Sequence, residues 1–199
     1  MIRHSIWLAC AATLLLGACA QAPQRPTATA AVLESARPKA LALDRLILSA
    51  QPSEQDLALW QAEGVATVFN LRTPAEMADR SRLPFDEPAV VRALGLSYVE
   101  QPMDGKAFPF TPDAVDALAA ALQNSAGPVL LHCASGNRAG WLYAAYAVKH
   151  LGMSPDEAMR QLAPLGHWPL PLETLSGRAL RVEFADAPTV TREGFEEQP

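Results

Sequence analysis

Residues 129–140 read Val-Leu-Leu-His-Cys-Ala-Ser-Gly-Asn-Arg-Ala-Gly, and this stretch decides the fold. An apolar run typical of a buried strand ends at Cys133, and Arg138 follows before an apolar segment long enough for a buried helix. A strand that delivers a thiol to a helix N-terminus places the sulfur beside backbone N–H groups and the positive end of a dipole. Such a field favours a thiolate, and a guanidinium adds donors that suit a tetrahedral oxyanion. The pattern predicts a nucleophilic cysteine in an anion-binding loop.

The first 19 residues have the pattern of a bacterial lipoprotein signal peptide. A short polar region precedes an apolar run at residues 6–16, which ends in Leu-Gly-Ala-Cys, with Cys19 as the lipidated residue. Cleavage after Ala18 or Ala20 without lipid, or a short membrane anchor, are the alternatives. We therefore expect a lipid-anchored, periplasm-facing protein of the cell envelope. Because Ala20 and not an aspartate follows the cysteine, the resemblance to enterobacterial lipoproteins favours the outer membrane.

The rest of the chain divides into a tether, a domain and a tail. Residues 20–38 are rich in Ala, Pro, Thr and Gln and predict a flexible tether. Residues 39–186 predict one domain, and the polar residues 187–199 predict a loose C-terminal tail. With 50% hydrophobic residues among 199, the chain can bury a proper core. The net charge of −5 and the lack of a basic patch argue against a nucleic-acid partner.

This division leaves Cys133 as the one cysteine of the mature domain. Cys10 would leave with the signal peptide and Cys19 would carry lipid. An exported protein with a single unpaired cysteine has no disulfide to account for it. The alternative is a small core residue, since a free cysteine packs as a hydrophobe. Gly136 and Arg138, which follow it, favour the nucleophile.

Strand and helix signals alternate through the domain, which favours parallel strands joined by crossover helices. The predicted fold class is therefore α/β, a three-layer sandwich whose mostly parallel central sheet of four to five strands is flanked by helices. Ligands bind outside the carboxyl ends of the strands in such sheets, where Cys133 is expected. Strands are predicted at residues 46–50, 66–71, 96–101 and 128–132, and helices after Ser53, Thr73, Thr111 and Ser154 and at residues 89–93, 141–148 and 172–183.

Three motifs carry a resemblance to a known family. They are Ser-Ala-Gln-Pro-Ser at residues 49–53, Thr-Val-Phe-Asn-Leu-Arg at residues 67–72 and the cysteine loop at residues 129–138. Through them, residues from about 46 to 166 resemble the phosphatase-like domain of bacterial beta-lactamase-hydrolase-like proteins. Those domains belong to the superfamily of cysteine-dependent dual-specificity and tyrosine phosphatases. The resemblance implies a tyrosine-phosphatase-like fold and a phosphorylated substrate. No metal-ligand spacing or nucleotide-binding glycine motif stands out, so no metal or other cofactor is expected.

The resemblance also implies a two-step reaction. The Cys133 thiolate would attack phosphorus and form a thiophosphoryl intermediate, while loop N–H groups and Arg138 hold the three non-bridging oxygens. His132 would orient the loop and help to keep the thiol ionised, although packing beneath the strand end is the alternative. Gly136 is expected to supply a positive φ or room for the backbone beside the anion. The substrate-binding loop residues are Ala134, Ser135, Gly136, Asn137 and Arg138.

Asp104 is the predicted general acid. It lies in the loop after the third predicted strand, roughly where the family places a mobile aspartate. It would protonate the leaving oxygen and then act as a base on the hydrolytic water. The alternative is an ordinary turn residue in an Asp-Gly pair. Asp113 is a weaker candidate, because the first turn of a helix favours an aspartate anyway.

Two features depart from the tyrosine phosphatases. Four residues instead of five separate Cys133 from Arg138, and this Cys-x-x-Gly-x-Arg spacing also resembles rhodanese-type sulfurtransferases, whose loop surrounds a persulfide sulfur. Ala139 stands where many phosphatases carry a Ser or Thr that assists breakdown of the intermediate. Two other functions therefore stay open, which are sulfur transfer through a Cys133 persulfide and anion binding by a non-catalytic lipoprotein. His132 and the placement of Asp104 favour the phosphatase.

Overall fold

The computed structural model describes residues 31–32, 40–165 and 172–177. The predicted signal peptide, the lipidation at Cys19 and the C-terminal tail lie outside these residues. Within them, no helix combines the length and the apolar character needed to cross a membrane.

A mixed sheet forms the middle layer. Its strands among the described residues are β1 (Ala31–Val32), β2 (Ala40–Leu43), β3 (Leu46–Ser49), β4 (Thr67–Asn70), β5 (Ser97–Glu100) and β6 (Val129–His132). They lie in the order β1-β2-β3-β6-β4-β5. Strands β3, β6, β4 and β5 run parallel to one another, whereas β1 and β2 are antiparallel to their neighbours. This confirms the predicted α/β sandwich with a mostly parallel sheet.

The antiparallel edge is the part of the sheet that the sequence did not predict. Strands β2 and β3 form a hairpin in which Leu43 lies opposite Leu46, and the turn between them is Asp44-Arg45. Asp44 has φ +53°, a conformation that hairpin turns usually assign to Asn, Asp or Gly and most often signal by an adjacent glycine. Without a glycine, the turn has a weak sequence signal. Strand β1, which pairs with β2, lies inside the segment predicted as a tether.

Helices cover both faces of the sheet. The helices among the described residues are α1 (Glu54–Ala62), α2 (Pro74–Ala78), α3 (Glu87–Ala93), α4 (Pro112–Asn124), α5 (Asn137–His150), α6 (Pro155–Leu162) and α7 (Leu172–Ser176). Side chains of α4, α5 and α6 pack on one face and those of α1 and α3 on the other. Helix α5 is buried on most of its surface, as predicted.

Local capping signals set several helix starts. Ser53 and Thr73 each form a reciprocal capping box, with Asp56 and Glu76 respectively. Helix α7 begins where the sequence predicts and ends at Ser176, while the remainder of the predicted helix lies outside the described residues.

Strand β6 places the cysteine loop at the centre of the sheet, between β3 and β4. Leu130 packs toward α1 and α3, and Leu131 packs toward α4 and α5. The same alternation continues past the strand end. His132 therefore points to one face of the sheet and Cys133 to the other.

Candidate active site

The loop from Cys133 to α5 is fastened to the end of β3. The N–H of Cys133 donates to the carbonyl of Ser49 at 3.4 Å. Gly136, the residue before α5, has φ +90°. A Cβ built there would lie 3.5 Å from the Ala50 nitrogen, an ordinary contact. The backbone conformation, not a lack of space, is therefore what requires glycine.

The thiol of Cys133 is fully buried and held by the loop. Its Sγ accepts a hydrogen bond from the N–H of Gly136, with an S···N distance of 3.1 Å. No side chain of the described residues caps α5 at Gly136, and the first-turn N–H groups of a helix have no acceptor within it. The burial fits the core-residue alternative, but the N–H donor and the uncapped helix make a setting for negative charge.

Arg138 lies in the first turn of α5, with its guanidinium fixed by a carboxylate and two carbonyls. Nη2 donates to Oε1 of Glu76 at 2.7 Å and Nη1 to Oε2 at 2.9 Å. Nη1 also donates to the carbonyls of Leu71 at 3.2 Å and Met103 at 2.8 Å. Burial acts to lower the pKa of Arg138, but the hydrogen bond to Glu76 and the charges of Cys133 and Glu76 outweigh it and raise the pKa. The arginine is therefore charged and oriented.

Glu76 is a site residue that the sequence analysis missed. It is the third residue of α2, where Oε2 accepts from the N–H of Thr73 at 2.9 Å. The same carboxylate binds Arg138, 62 positions along the chain. Burial acts to raise the pKa of Glu76, but the bonds from Arg138 and Thr73 lower it from 4.5 to about 2. The capping box was visible in the sequence, whereas the distant arginine had no local signal.

His132 is completely buried next to a second buried carboxylate. Its Nε2 lies 3.0 Å from Oε1 of Glu87, and both side chains are 0% exposed. Neither ring nitrogen has an aligned hydrogen bond to another described residue. Glu87 also accepts hydrogen bonds from Tyr98 Oη at 2.9 Å and from Gln51 Nε2. The sequence predicts a tuning role for His132 but gives no signal for Glu87.

A series of polar side chains runs beneath the loop from Glu87 to Glu76. Gln51 donates to Glu87 and accepts from Nη1 of Arg72 at 2.6 Å. Nη2 of Arg72 donates to the Glu76 carbonyl at 3.0 Å. Gln51 and Arg72 come from the first and second of the three motifs that carry the family resemblance. These motifs therefore assemble into the support of the cysteine loop.

Asp104 lies at the edge of the site, in a tight turn. Its Oδ1 accepts from the N–H groups of Lys106 at 2.8 Å and Phe108 at 2.9 Å. The bonds from Phe108 and Lys106 lower the pKa of Asp104, and the charge of Arg138 lowers it further. The preceding carbonyl, of Met103, binds Arg138. This geometry is that of the turn residue given as the alternative, and the role of general acid stays a prediction.

The remaining residues predicted for the site lie on the cysteine loop, behind it and in α4. Ala134, Ser135 and Asn137 are exposed on the loop, and Ala139 is buried behind it. Asp113 is exposed in the first turn of α4. Among the residues with described positions, no three His, Cys, Asp or Glu side chains are grouped so as to hold a metal ion.

Comparison with known proteins assigns the chain to a family. The model of the beta-lactamase hydrolase-like protein, phosphatase-like domain, matches residues 39–149, which is more than half of the chain. This chain belongs to that family. The matched residues include the cysteine loop as well as Glu76 and Glu87. It confirms the resemblance found from the three motifs, and the protein has a phosphatase-like domain.

A curated relative of the domain is the beta-lactamase hydrolase-like protein of Xylella fastidiosa. It is 32% identical over 124 residues, which make up 62% of this chain and 27% of the relative. The chain therefore spans about a quarter of the length of the curated relatives it matches.

Solved structures share the fold of the phosphatase-like domain. A candidate phosphatase of Shewanella putrefaciens is 26% identical, with a TM-score of 0.53 over 68% of this chain and 87% of that one. TpbA of P. aeruginosa, solved as a variant in complex with phosphotyrosine, is 23% identical, with a TM-score of 0.53 over 72% of this chain and 84% of its own. These likenesses confirm the tyrosine-phosphatase-like fold.

Proposed function

We propose that the phosphatase-like domain hydrolyses phosphomonoesters of the tyrosine and dual-specificity type, with Cys133 as the nucleophile. The observation that carries the proposal is the meeting of three groups at the N-terminus of α5. They are the Cys133 sulfur, the Gly136 N–H 3.1 Å from it and the charged guanidinium of Arg138. The sulfur can attack phosphorus, while the fixed N–H donors around it stabilise the negative charge on the phosphoryl oxygens during transfer.

The proposed reaction has two steps and uses no cofactor. In the first, the Cys133 thiolate forms an S–P bond while the ester P–O bond breaks, and Asp104 gives its proton to the leaving oxygen. In the second, Asp104 removes a proton from water, whose oxygen attacks phosphorus and breaks the S–P bond. Phosphate leaves and the thiolate is restored. Because backbone donors hold Asp104 as a carboxylate, the first step needs this turn to open or the substrate to bring the proton in.

Sulfur transfer is the second candidate function. The four-residue spacing between Cys133 and Arg138 supports it, as does the complete burial of the sulfur in a tight loop. In that reaction, the Cys133 thiolate would take the outer sulfur of thiosulfate as a persulfide and release sulfite. A thiol acceptor or cyanide would then remove the sulfur.

A paired assay of the full-length protein separates the two functions. We expect release of p-nitrophenol from its phosphate ester, loss of that release in Cys133→Ser, and no formation of thiocyanate from thiosulfate and cyanide. Thiocyanate formation without phosphate release would replace the proposal by sulfur transfer. Binding of vanadate without either turnover would favour the non-catalytic anion-binding protein.

We also propose that the domain acts in the cell envelope, anchored through lipid on Cys19 and facing the periplasm from the outer membrane. The pattern of residues 1–19 supports this location. Metabolic labelling with a fatty-acid analogue should mark the wild-type protein and not Cys19→Ala. Labelling of both proteins, or of neither, would contradict the anchor.

A further inference from the structure

Glu87 carries a buried charge that the proposed reaction does not use. It is the first residue of α3 and is 0% exposed. Its carboxylate contacts Tyr98, Gln51 and His132. A buried carboxylate requires hydrogen bonds and a countercharge, because removal from water disfavours the ion strongly.

Among these three contacts, only His132 can supply a positive charge. Gln51 is neutral, and burial together with the charge of Glu87 raises the pKa of Tyr98 far above its usual value, so the phenol keeps its proton. The next cation, Arg72, reaches Glu87 only through Gln51. Burial acts to raise the pKa of Glu87, but the contact with His132 and the hydrogen bonds from Gln51 and Tyr98 outweigh it and lower the pKa. His132 is therefore the contact that can compensate the buried carboxylate.

The Glu87–His132 contact adjoins the nucleophile in the chain. His132 directly precedes Cys133, and its carbonyl accepts from the N–H of Leu71 at 3.0 Å. The side chains of His132 and Cys133 lie on opposite faces of the sheet, but because the two residues are adjacent, a protonated His132 ring would bring a positive charge close to the cysteine loop.

We propose that Glu87 is a positioning residue that acts through His132, holding the ring in its protonated form so that the positive charge beside the cysteine loop favours the Cys133 thiolate. This inference rests on the proposed function, because that function uses the Cys133 thiolate as the nucleophile. It links the charge of Glu87, which lies 46 positions before Cys133, to the ionisation of the Cys133 thiol. The groups that face the pair are Tyr98 from β5, Gln51 after β3 and Arg72 after β4.

Titration of the thiol in Glu87→Gln tests the coupling without requiring a substrate. The thiolate fraction is followed by its ultraviolet absorbance and by the rate of alkylation against pH in the full-length protein. At pH values below the pKa of the Cys133 thiol, we expect Glu87→Gln to lower the alkylation rate about tenfold. This change is equivalent to an upward shift of the thiol pKa by about one unit. The pH profile of kcat/KM should move by the same amount, with KM little changed.

Glu54→Gln is the matched control, because Glu54 is the first residue of α1 as Glu87 is of α3, but is exposed. It should leave the titration unchanged. The double variant Glu87→Gln/His132→Gln should titrate like His132→Gln alone, since Glu87 acts through the histidine. Glu87→Asp should restore part of the wild-type profile. A folded Glu87→Gln protein with an unshifted titration would overturn the inference.

A measurement on the unaltered protein covers the case in which Glu87→Gln does not fold. The ring-nitrogen chemical shifts of His132 should be those of an imidazolium at neutral pH. Shifts of a neutral imidazole would overturn the inference. A shifted thiol titration without any phosphate release would support the coupling while contradicting the proposed function.

Discussion

Replacing Glu76 with glutamine removes the negative charge that orients Arg138. In the wild-type protein both carboxylate oxygens are used, Oε1 by Arg138 and Oε2 by Arg138 and Thr73. A glutamine amide places an NH₂ group at one of these positions, where it meets donors instead of accepting from them. The variant therefore loses the ion pair and at least one hydrogen bond, while the length of the side chain is retained.

The magnitude follows from the pKa of Glu76, which is lowered from 4.5 to about 2. The whole shift corresponds to about 3 kcal/mol of folding stability, and solvent screening of this partly exposed pair reduces it to about 1–2 kcal/mol. Because the folded-state pKa is the lower one, this stability is fully present above pH 4.5 and is lost as the pH falls toward 2.

Urea unfolding of both proteins between pH 7 and the lowest pH at which they fold measures this difference. We expect Glu76→Gln to be about 1–2 kcal/mol less stable at pH 7, with the gap closing below pH 4.5. Glu157→Gln is the matched control. Glu157 occupies the same position of a Ser-Pro-Asp-Glu helix start, but is exposed. A stability difference between wild type and Glu76→Gln that does not change with pH would contradict this prediction. An equal loss of stability in Glu157→Gln would also contradict it.

Three further outcomes are expected. Gly136→Ala should cost about 1–2 kcal/mol in urea unfolding, because a residue with a Cβ is strained at φ +90°, and unchanged stability would contradict this. Arg138→Lys should lower kcat for phosphate release about 10²–10³-fold, since an ammonium lacks the planar set of donors; near-wild-type turnover would count against its role. Asp104→Asn should slow hydrolysis most for esters with poor leaving groups, and an equal effect on all esters would demote Asp104 as the acid.

Local signals account for the parts of the fold that the sequence predicted. Helix starts at Ser53 and Thr73 are encoded within four residues, and the stripe of α4 is encoded by spacing. The sequence does not predict the β2–β3 hairpin, because its turn has Asp44 at the position with a positive φ and contains no glycine as a clear turn signal. Strand order also depends on long-range packing, which no short window contains.

In the candidate site, too, the residues that lie close together in the sequence could be predicted and the distant ones could not. Cys133, Gly136 and Arg138 lie within six residues, so their spacing was readable as one motif. Glu87 was not readable, because in the sequence it looks like Glu54, an acidic residue at a helix start. Only the packing of α3 against the sheet shows that one is buried beside a histidine and the other exposed.

The most direct test of the account is rapid acid quenching of the full-length protein during turnover of p-nitrophenyl phosphate, followed by mass spectrometry of the peptide that contains Cys133. We predict a peptide that is heavier by one phosphoryl group on the cysteine sulfur and that is absent from Cys133→Ser. Turnover without that adduct, or a phosphoryl group on another residue, would contradict it.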